Sequence, residues 1–360
     1  MPGAGALRAL VLLSTVLEVP ALGAAARRMT RMPRDGAVQI AGSAVEALAP
    51  AGPGPWPTFV FLNGAHPERR REPVVRRVTE GLARAGFLVL LPDPPGVAEG
   101  QITPATLDAV LAVTRGAVAL PEVRDGRVAL LGASTGGSLA LLAAADPQVR
   151  DRISVVVAVT PFADLEKMVC LATTRTYEGA AGRAVHAVSD LLRRSVAHSL
   201  AAAIDEAADG RRVLGALAGA SGLDDPGALR ACLADLALEG RAVVRLILNE
   251  DPDRFAELFA ALPPEVRSAV RRLSPVMAAA QVGAPVELVV PPRDEYFPHD
   301  EVMSLARALP HVRLTVTPSL DHTRPSASLM RLGSVVGFAR SVVRGLAQAA
   351  SPGDVVRSAP

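Results

Sequence analysis

Arg127-Val128-Ala129-Leu130-Leu131-Gly132-Ala133-Ser134-Thr135-Gly136-Gly137-Ser138 is the stretch that decides how this chain is read. Its apolar opening is a strand candidate, and the Ala- and Leu-rich segment from Ser138 to Ala145 has the composition of a helix. Between them lies Gly-x-Ser-x-Gly. A serine on a sharp turn between strand and helix is held in a strained backbone conformation with its hydroxyl presented outward. The residues two before and two after it must then be minimal, and Gly132 and Gly136 meet that demand. The five-residue pattern alone is weak, because glycine and serine are common in turns. The strand before it and the helix after it give it the form of a nucleophile elbow.

Outward from the elbow, solid apolar runs alternate with helical spacings. Ala37 to Ala41 and Val45 to Leu48 read as an opening hairpin-like pair, and Thr58 to Leu62 as a strand buried on both faces. Pro73 to Ala85 has helical spacing, Phe87 to Leu91 is a second buried strand, and Thr103-Pro104 opens a helix with an N-cap threonine and a first-turn proline. Ile153 to Val159 is the strand after the elbow helix. Strand–helix alternation with uniformly apolar strands predicts an α/β fold, a mostly parallel sheet with helices on both faces.

The alternation stops near Phe162 and resumes with a strand at Val286 to Val290, a helix at Asp300 to Leu309, a strand at Val312 to Val316 and a helix at Ala327 to Ala349. The interval shows helical periods, among them Ala184 to Ala203, Pro226 to Leu236 and Asp253 to Phe259, and is too long for a loop. The apolar run Val243 to Leu248 also fits inside a helix. The expected organisation is an α/β core over 37–162 and 281–350, a helical cap with its own small core over 163–280, an N-terminal segment over 1–36 and a disordered tail over 351–360.

A serine hydroxyl needs a general base, and the base needs an orienting acid. After a nucleophile elbow the acid and then the histidine follow along the chain, in loops beyond later strands. Pro291-Pro292-Arg293-Asp294-Glu295 follows one such strand and Leu320-Asp321-His322-Thr323 another. The expected triad is Ser134, Asp294 and His322, with Glu295, Asp300 and Asp321 as competing acids. An oxyanion requires two preorganised N–H donors. The expected pair is the amide of Thr135, next to the nucleophile, and that of Ala65, in the loop after Leu62. Asn63 and His66 either shape the pocket or satisfy local turns. Phe259, on a stripe with Phe255, Leu258 and Leu262, either lines the pocket or packs the cap.

The Asn63-Gly64 loop, the Gly-Ala-Ser-Thr-Gly elbow, Ala284-Pro285-Val286 leading to Asp294 and Pro298, and the final His322 together resemble the α/β-hydrolase superfamily over roughly residues 40 to 345. The likeness is to its dienelactone-hydrolase and serine-esterase branches. Asn63-Gly64 departs from the commoner His-Gly pair. The resemblance implies a carboxylesterase with a cap that covers the site and supplies the acyl or alcohol pocket. An acyltransferase of the same fold, and a non-catalytic binding or membrane-associated protein, are the competing readings.

The bulk composition limits the alternatives. The chain has 360 residues, of which 50% are hydrophobic, enough for a large core, and its net charge of +2 with 3% aromatic residues argues against a nucleic-acid partner. Cys170 and Cys232 make no metal knuckle and no disulfide framework, and the 6 histidines lack metal-ligand spacing, so no metal and no cofactor is expected. Arg8, the apolar run Ala9 to Leu17 and the small residues before Arg27-Arg28 resemble a signal peptide or a helix lying on the domain or on a membrane surface. The expected location is cytoplasmic or membrane-associated, with peripheral membrane contact through this segment. Secretion after cleavage within residues 1–26 is the alternative. The expected partner is a small-molecule ester.

Overall fold

The structure, a computed structural model, describes residues 3–16, 28–66, 68, 71–179, 182–218, 223, 226–318, 320–325 and 332–351. The expected tail beyond Ser351 lies outside these residues.

Its strands are β1 (Arg34–Ile40), β2 (Ser43–Ala49), β3 (Trp56–Leu62), β4 (Leu88–Leu91), β5 (Val123–Ala133) and β6 (Ile153–Val159), a short hairpin of β7 (Thr176–Gly179) and β8 (Gly182–Val185), then β9 (Val286–Val290) and β10 (Val312–Val316), and a two-residue pair of β11 (Leu320–Asp321) and β12 (Arg324–Pro325). Eight of them form one sheet in the order β1-β2-β4-β3-β5-β6-β9-β10. Its pairs are parallel except β1 with β2 and β2 with β4, so β2 alone runs against the rest. The helices before the insertion are α1 (Gly3–Val16), α2 (Pro73–Arg84), α3 (Pro104–Ala117) and α4 (Thr135–Ala144). Those within it are α5 (Leu165–Thr174), α6 (Asp190–Ala202), α7 (Ala207–Leu217), α8 (Gly227–Cys232), α9 (Leu238–Ile247), α10 (Phe255–Ala260), α11 (Pro264–Arg272) and α12 (Pro275–Ala278). Then come α13 (His299–Ala308) and α14 (Leu332–Ala350).

Successive side chains on a strand point to opposite faces, and here that alternation sorts the core into two clusters. Val60, Leu62, Leu88, Leu90, Val128, Leu130, Val156 and Ala158 face the front layer, with α3, α4 and the inserted helices. Phe59, Phe61, Val89, Leu91, Ala129 and Val155 face the rear layer of α1, α2 and α14. Each central strand is therefore apolar throughout, which explains the solid runs in the sequence.

The N-terminal helix belongs to this rear layer. Ala9, Val11, Leu12 and Val16 are buried between α2 and α14. A Cβ on Gly81 of α2 would lie 2.8 Å from Leu12 Cδ1 and 3.3 Å from Thr15 Cβ, so glycine lets the two helices meet. The buried Ser14 and Thr15 hydroxyls donate back to Val11 O. Leu7 and Leu10 stay exposed on the outer side. Helix α14 is anchored electrostatically: Arg344 donates to both oxygens of the buried Glu287 on β9, at 2.8 and 2.7 Å, and Ser341 donates at 3.1 Å. Among the described residues no helix is long and apolar enough to cross a membrane.

Two details of the insertion differ from the sequence reading. The hairpin β7–β8 occupies part of the span expected as helix from Ala184, because Thr176-Tyr177-Glu178-Gly179 is too short and polar to signal a strand. Among the described residues the insertion also has no separate core. Val196, Leu200, Val243, Leu246 and Phe259 belong to the same apolar cluster as Val60 and Leu130. Cys170 and Cys232 are both free and half-buried.

A carboxylate stitches the start of the insertion to α13. Glu301 is buried, accepts from the Asp164 N–H at 3.2 Å and lies 3.4 Å from Lys167 Nζ. Burial pushes its pKa up, against the pull of Lys167. A carboxyl whose folded pKa is raised costs stability as pH climbs from the ordinary glutamate range through the folded value. The melting temperature of Glu301→Gln relative to the natural protein should therefore increase between about pH 4 and about pH 7. A difference that is flat or falls with pH in thermal melts would contradict this account.

Candidate active site

The elbow is built from close backbone approaches. β5 ends at Ala133, α4 begins at Thr135, and Ser134 between them has φ 51° and ψ −124°. A non-glycine residue at positive φ is strained and persists only where its surroundings hold it. The Ser134 N–H donates to Val159 O at 2.8 Å, and its carbonyl accepts from Gly137 N at 2.8 Å and Ser138 N at 3.2 Å. A Cβ on Gly132 would overlap the Gly136 carbonyl, and one on Gly136 would overlap the Leu62 carbonyl. One on Gly64 would lie 3.0 Å from Ala133 O and 3.2 Å from Ser134 Cβ. Only backbone is available to give way, so Gly136→Ala should lower stability by about 3 kcal/mol or more. Gly283→Ala, which has nothing within 4 Å of its new methyl, should change it by less than about 1 kcal/mol. Equal denaturation midpoints for the two variants would refute this reading of the elbow.

Asp294 and His322 meet. Asp294 Oδ2 lies 2.7 Å from His322 Nδ1, and both side chains are largely buried. The other carboxylate oxygen, Oδ1, accepts from the N–H groups of Tyr296 at 2.7 Å and Phe297 at 3.1 Å. The carboxylate is thus fixed by its own turn before it holds the imidazole. An ionised carboxylate only accepts, so the contact places the imidazole proton on Nδ1 and leaves Nε2 as the acceptor. The imidazole is gripped by Tyr296 and Phe297, with ring centroids 4.4 and 5.6 Å away. Glu295 is exposed, and Asp300 lies on α13 near Gly179 of the hairpin. The side chain of Asp321 lies outside the described residues.

Ser134 and His322 border one cavity of about 210 Å³. No hydrogen bond joins their side chains among the described residues. Asn63, Gly64, Ala65, His66 and Thr135 border the same cavity. Thr135 is the first residue of α4, so its N–H has no partner within the helix. His66 Nδ1 accepts from the Glu68 N–H at 3.2 Å, which holds the loop.

Phe259 is not at this cavity, contrary to the pocket expectation. It is buried in the cap and stacked on Phe255, with ring centroids 5.6 Å apart. Its six-residue helix α10 packs against α9, while the cap reaches the site through Leu191, Leu192 and Ser195 of α6. These three, with Tyr296 and Thr323, were missed in the sequence. Tyr296-Phe297 could have been found by their adjacency to Asp294. The α6 residues carry no local signal, since only tertiary packing brings them over the elbow.

A family model for the alpha/beta hydrolase fold matches residues 61–198. A comparison with curated protein sequences finds no significant match. Among solved structures the chain is similar to 2,6-dihydroxy-pseudo-oxynicotine hydrolase, at TM-score 0.51 and 16% identity, over 88% of this chain and 67% of that one. It is also similar to a putative dipeptidyl aminopeptidase IV from Bacteroides ovatus, at TM-score 0.51 and 12% identity, over 88% of this chain and 36% of that one. Est1E from Butyrivibrio proteoclasticus aligns at TM-score 0.46 and 15% identity, over 87% of this chain and 99% of that one. The chain thus spans about a third of the peptidase's length. With the sheet order and the elbow, the family model and the two likenesses at TM-score 0.51 show that the chain has the α/β-hydrolase fold.

Proposed function

We propose that the protein is a serine hydrolase that cleaves a carboxylic ester or thioester through an acyl-enzyme on Ser134. The observation that carries this reading is the 2.7 Å contact of Asp294 with His322 beside the cavity that Ser134 enters from its elbow. Ser134 Oγ attacks the carbonyl carbon and its proton passes to His322 Nε2. Asp294 keeps the imidazole in that orientation and stabilises the imidazolium. The oxyanion accepts from the backbone N–H groups of Thr135 and Ala65. Collapse of the tetrahedral adduct breaks the bond to the alkoxide or thiolate, which leaves with the proton from His322. Water then repeats the sequence on the acyl-enzyme, releasing the acid and restoring Ser134.

The test is labelling by a fluorophosphonate, followed by a screen of p-nitrophenyl esters. Labelling mapped to Ser134, with ester turnover, supports the proposal. An unlabelled protein that cleaves no ester would belong with the non-catalytic reading. Labelling together with acyl transfer to an added alcohol in preference to water would make it an acyltransferase.

A further inference from the structure

A second cavity, of about 140 Å³, lies on the rear face of the sheet beneath the N-terminal helix. The strand alternation shows how it arises. On the front face the upper ends of the central strands, Leu62, Leu130, Val156 and Ala158, are packed solid. On the rear face Leu131, Ala133, Val157 and Val159 are only half-buried. Lower on the same face Val89, Ala129 and Val155 are closed off completely. The void is therefore confined to the end of the sheet from which Ser134 emerges. Leu12 and Val16 of α1 and Val342 of α14 wall its other side. Natural interiors are close-packed, and an apolar void of this size lowers stability unless something fills it.

The cavity adjoins the site. Asn63, Glu72, Ala133 and Thr323 border both it and the cavity at Ser134. The polar side chains Asn63, Glu72 and Thr323 stand at this junction, and the depth beyond is almost wholly aliphatic and aromatic. That arrangement suits a group whose polar end is at Ser134 and whose remainder is a hydrocarbon chain. Apolar cavities of this volume stay dry and take up hydrocarbons of roughly six carbons.

We propose that the rear cavity receives the acyl chain of the substrate, making the preferred substrate an ester of a straight-chain acid of roughly six carbons or more. This rests on the serine-hydrolase reading of Ser134. The acyl group is the part that stays on the enzyme between the two half-reactions, so it can occupy a deep chamber without delaying release of the alcohol. The N-terminal helix then forms a wall of the binding site, on the face of the sheet away from the cap.

The test uses the full chain and p-nitrophenyl esters from acetate to octanoate. The natural protein should show kcat/KM rising at least about tenfold from acetate to hexanoate. Leu131→Phe narrows the chamber from β5 and Val342→Phe from α14. Each should leave acetate turnover within about twofold while removing the gain for hexanoate and octanoate. If one variant fails to fold by circular dichroism, the other decides. Equal proportional losses across the series, or a natural profile that falls with chain length, would overturn the proposal. If no ester of the series is cleaved, or cleavage survives Ser134→Ala, the catalytic reading has failed instead. The chamber is then judged by calorimetric titration of octanoate into the Ser134→Ala protein. Binding that Leu131→Phe weakens about tenfold sustains an apolar-chain site, and no binding ends it.

Discussion

Ser134→Ala should abolish fluorophosphonate labelling and lower kcat/KM for p-nitrophenyl esters by about 10⁴-fold or more, equivalent to about 5.5 kcal/mol of transition-state stabilisation. Stability should hardly move. The hydroxyl lies at a cavity surface, the strained backbone is held by Val159 O, Gly137 N and Ser138 N, and none of those bonds uses the side chain. The expected change in unfolding free energy is below about 1 kcal/mol. His322→Ala should be as severe, and the double variant little worse than either, because residues that act as one unit are not additive. Retention of natural activity by Ser134→Ala would remove the proposed nucleophile.

Asp294→Asn should keep the fold and lower activity by about 10⁴-fold. An asparagine Oδ1 can still accept from Tyr296 and Phe297, so the turn survives. Its amide nitrogen would face Nδ1 as a donor, favouring the imidazole with its proton on Nε2, where it cannot take the serine proton. The substitution also removes the charge that stabilises the imidazolium. Glu295→Gln, at an exposed side chain beside the same cavity, should cost less than about tenfold. Steady-state kinetics on both variants separates the two acids, and a mild Asp294→Asn with a crippled Glu295→Gln would reassign the role.

The parts of this molecule that were legible in its sequence are those where a residue type is forced by its immediate neighbours. Gly132 and Gly136 are fixed by carbonyls in van der Waals range, so the elbow could be read from five letters and their flanks. The sheet was legible because each central strand is apolar on both faces. Asp294 and His322 were legible because each lies just beyond a strand end, where the chain must turn at one edge of the sheet. The rest depends on tertiary packing that no local pattern encodes. A stripe such as Phe255–Phe259 reads the same whether it faces a substrate or another helix, and here it faces the cap interior. The docking of α1 into the rear layer depends on Gly81, a residue whose role becomes visible only when Leu12 lies against it. The chamber beneath α1 is a difference in packing between two faces of the same strands, and both faces are written with the same aliphatic residues.

The single apolar cluster shared by sheet and cap restricts how this molecule can breathe. Lifting the cap as a hinged lid would expose Leu165, Met168, Val196, Leu200 and Val270 together, and would break the bond from Ile102 N to Ser199 Oγ. Traffic to Ser134 must then be admitted by side chains and loop segments at the cavity rim, such as Leu191 and Glu295, rather than by a swinging roof. On heating, the sheet and cap should come apart as one cooperative unit in a single calorimetric endotherm. A cap transplanted from a relative would have to bring the matching front face of the sheet with it.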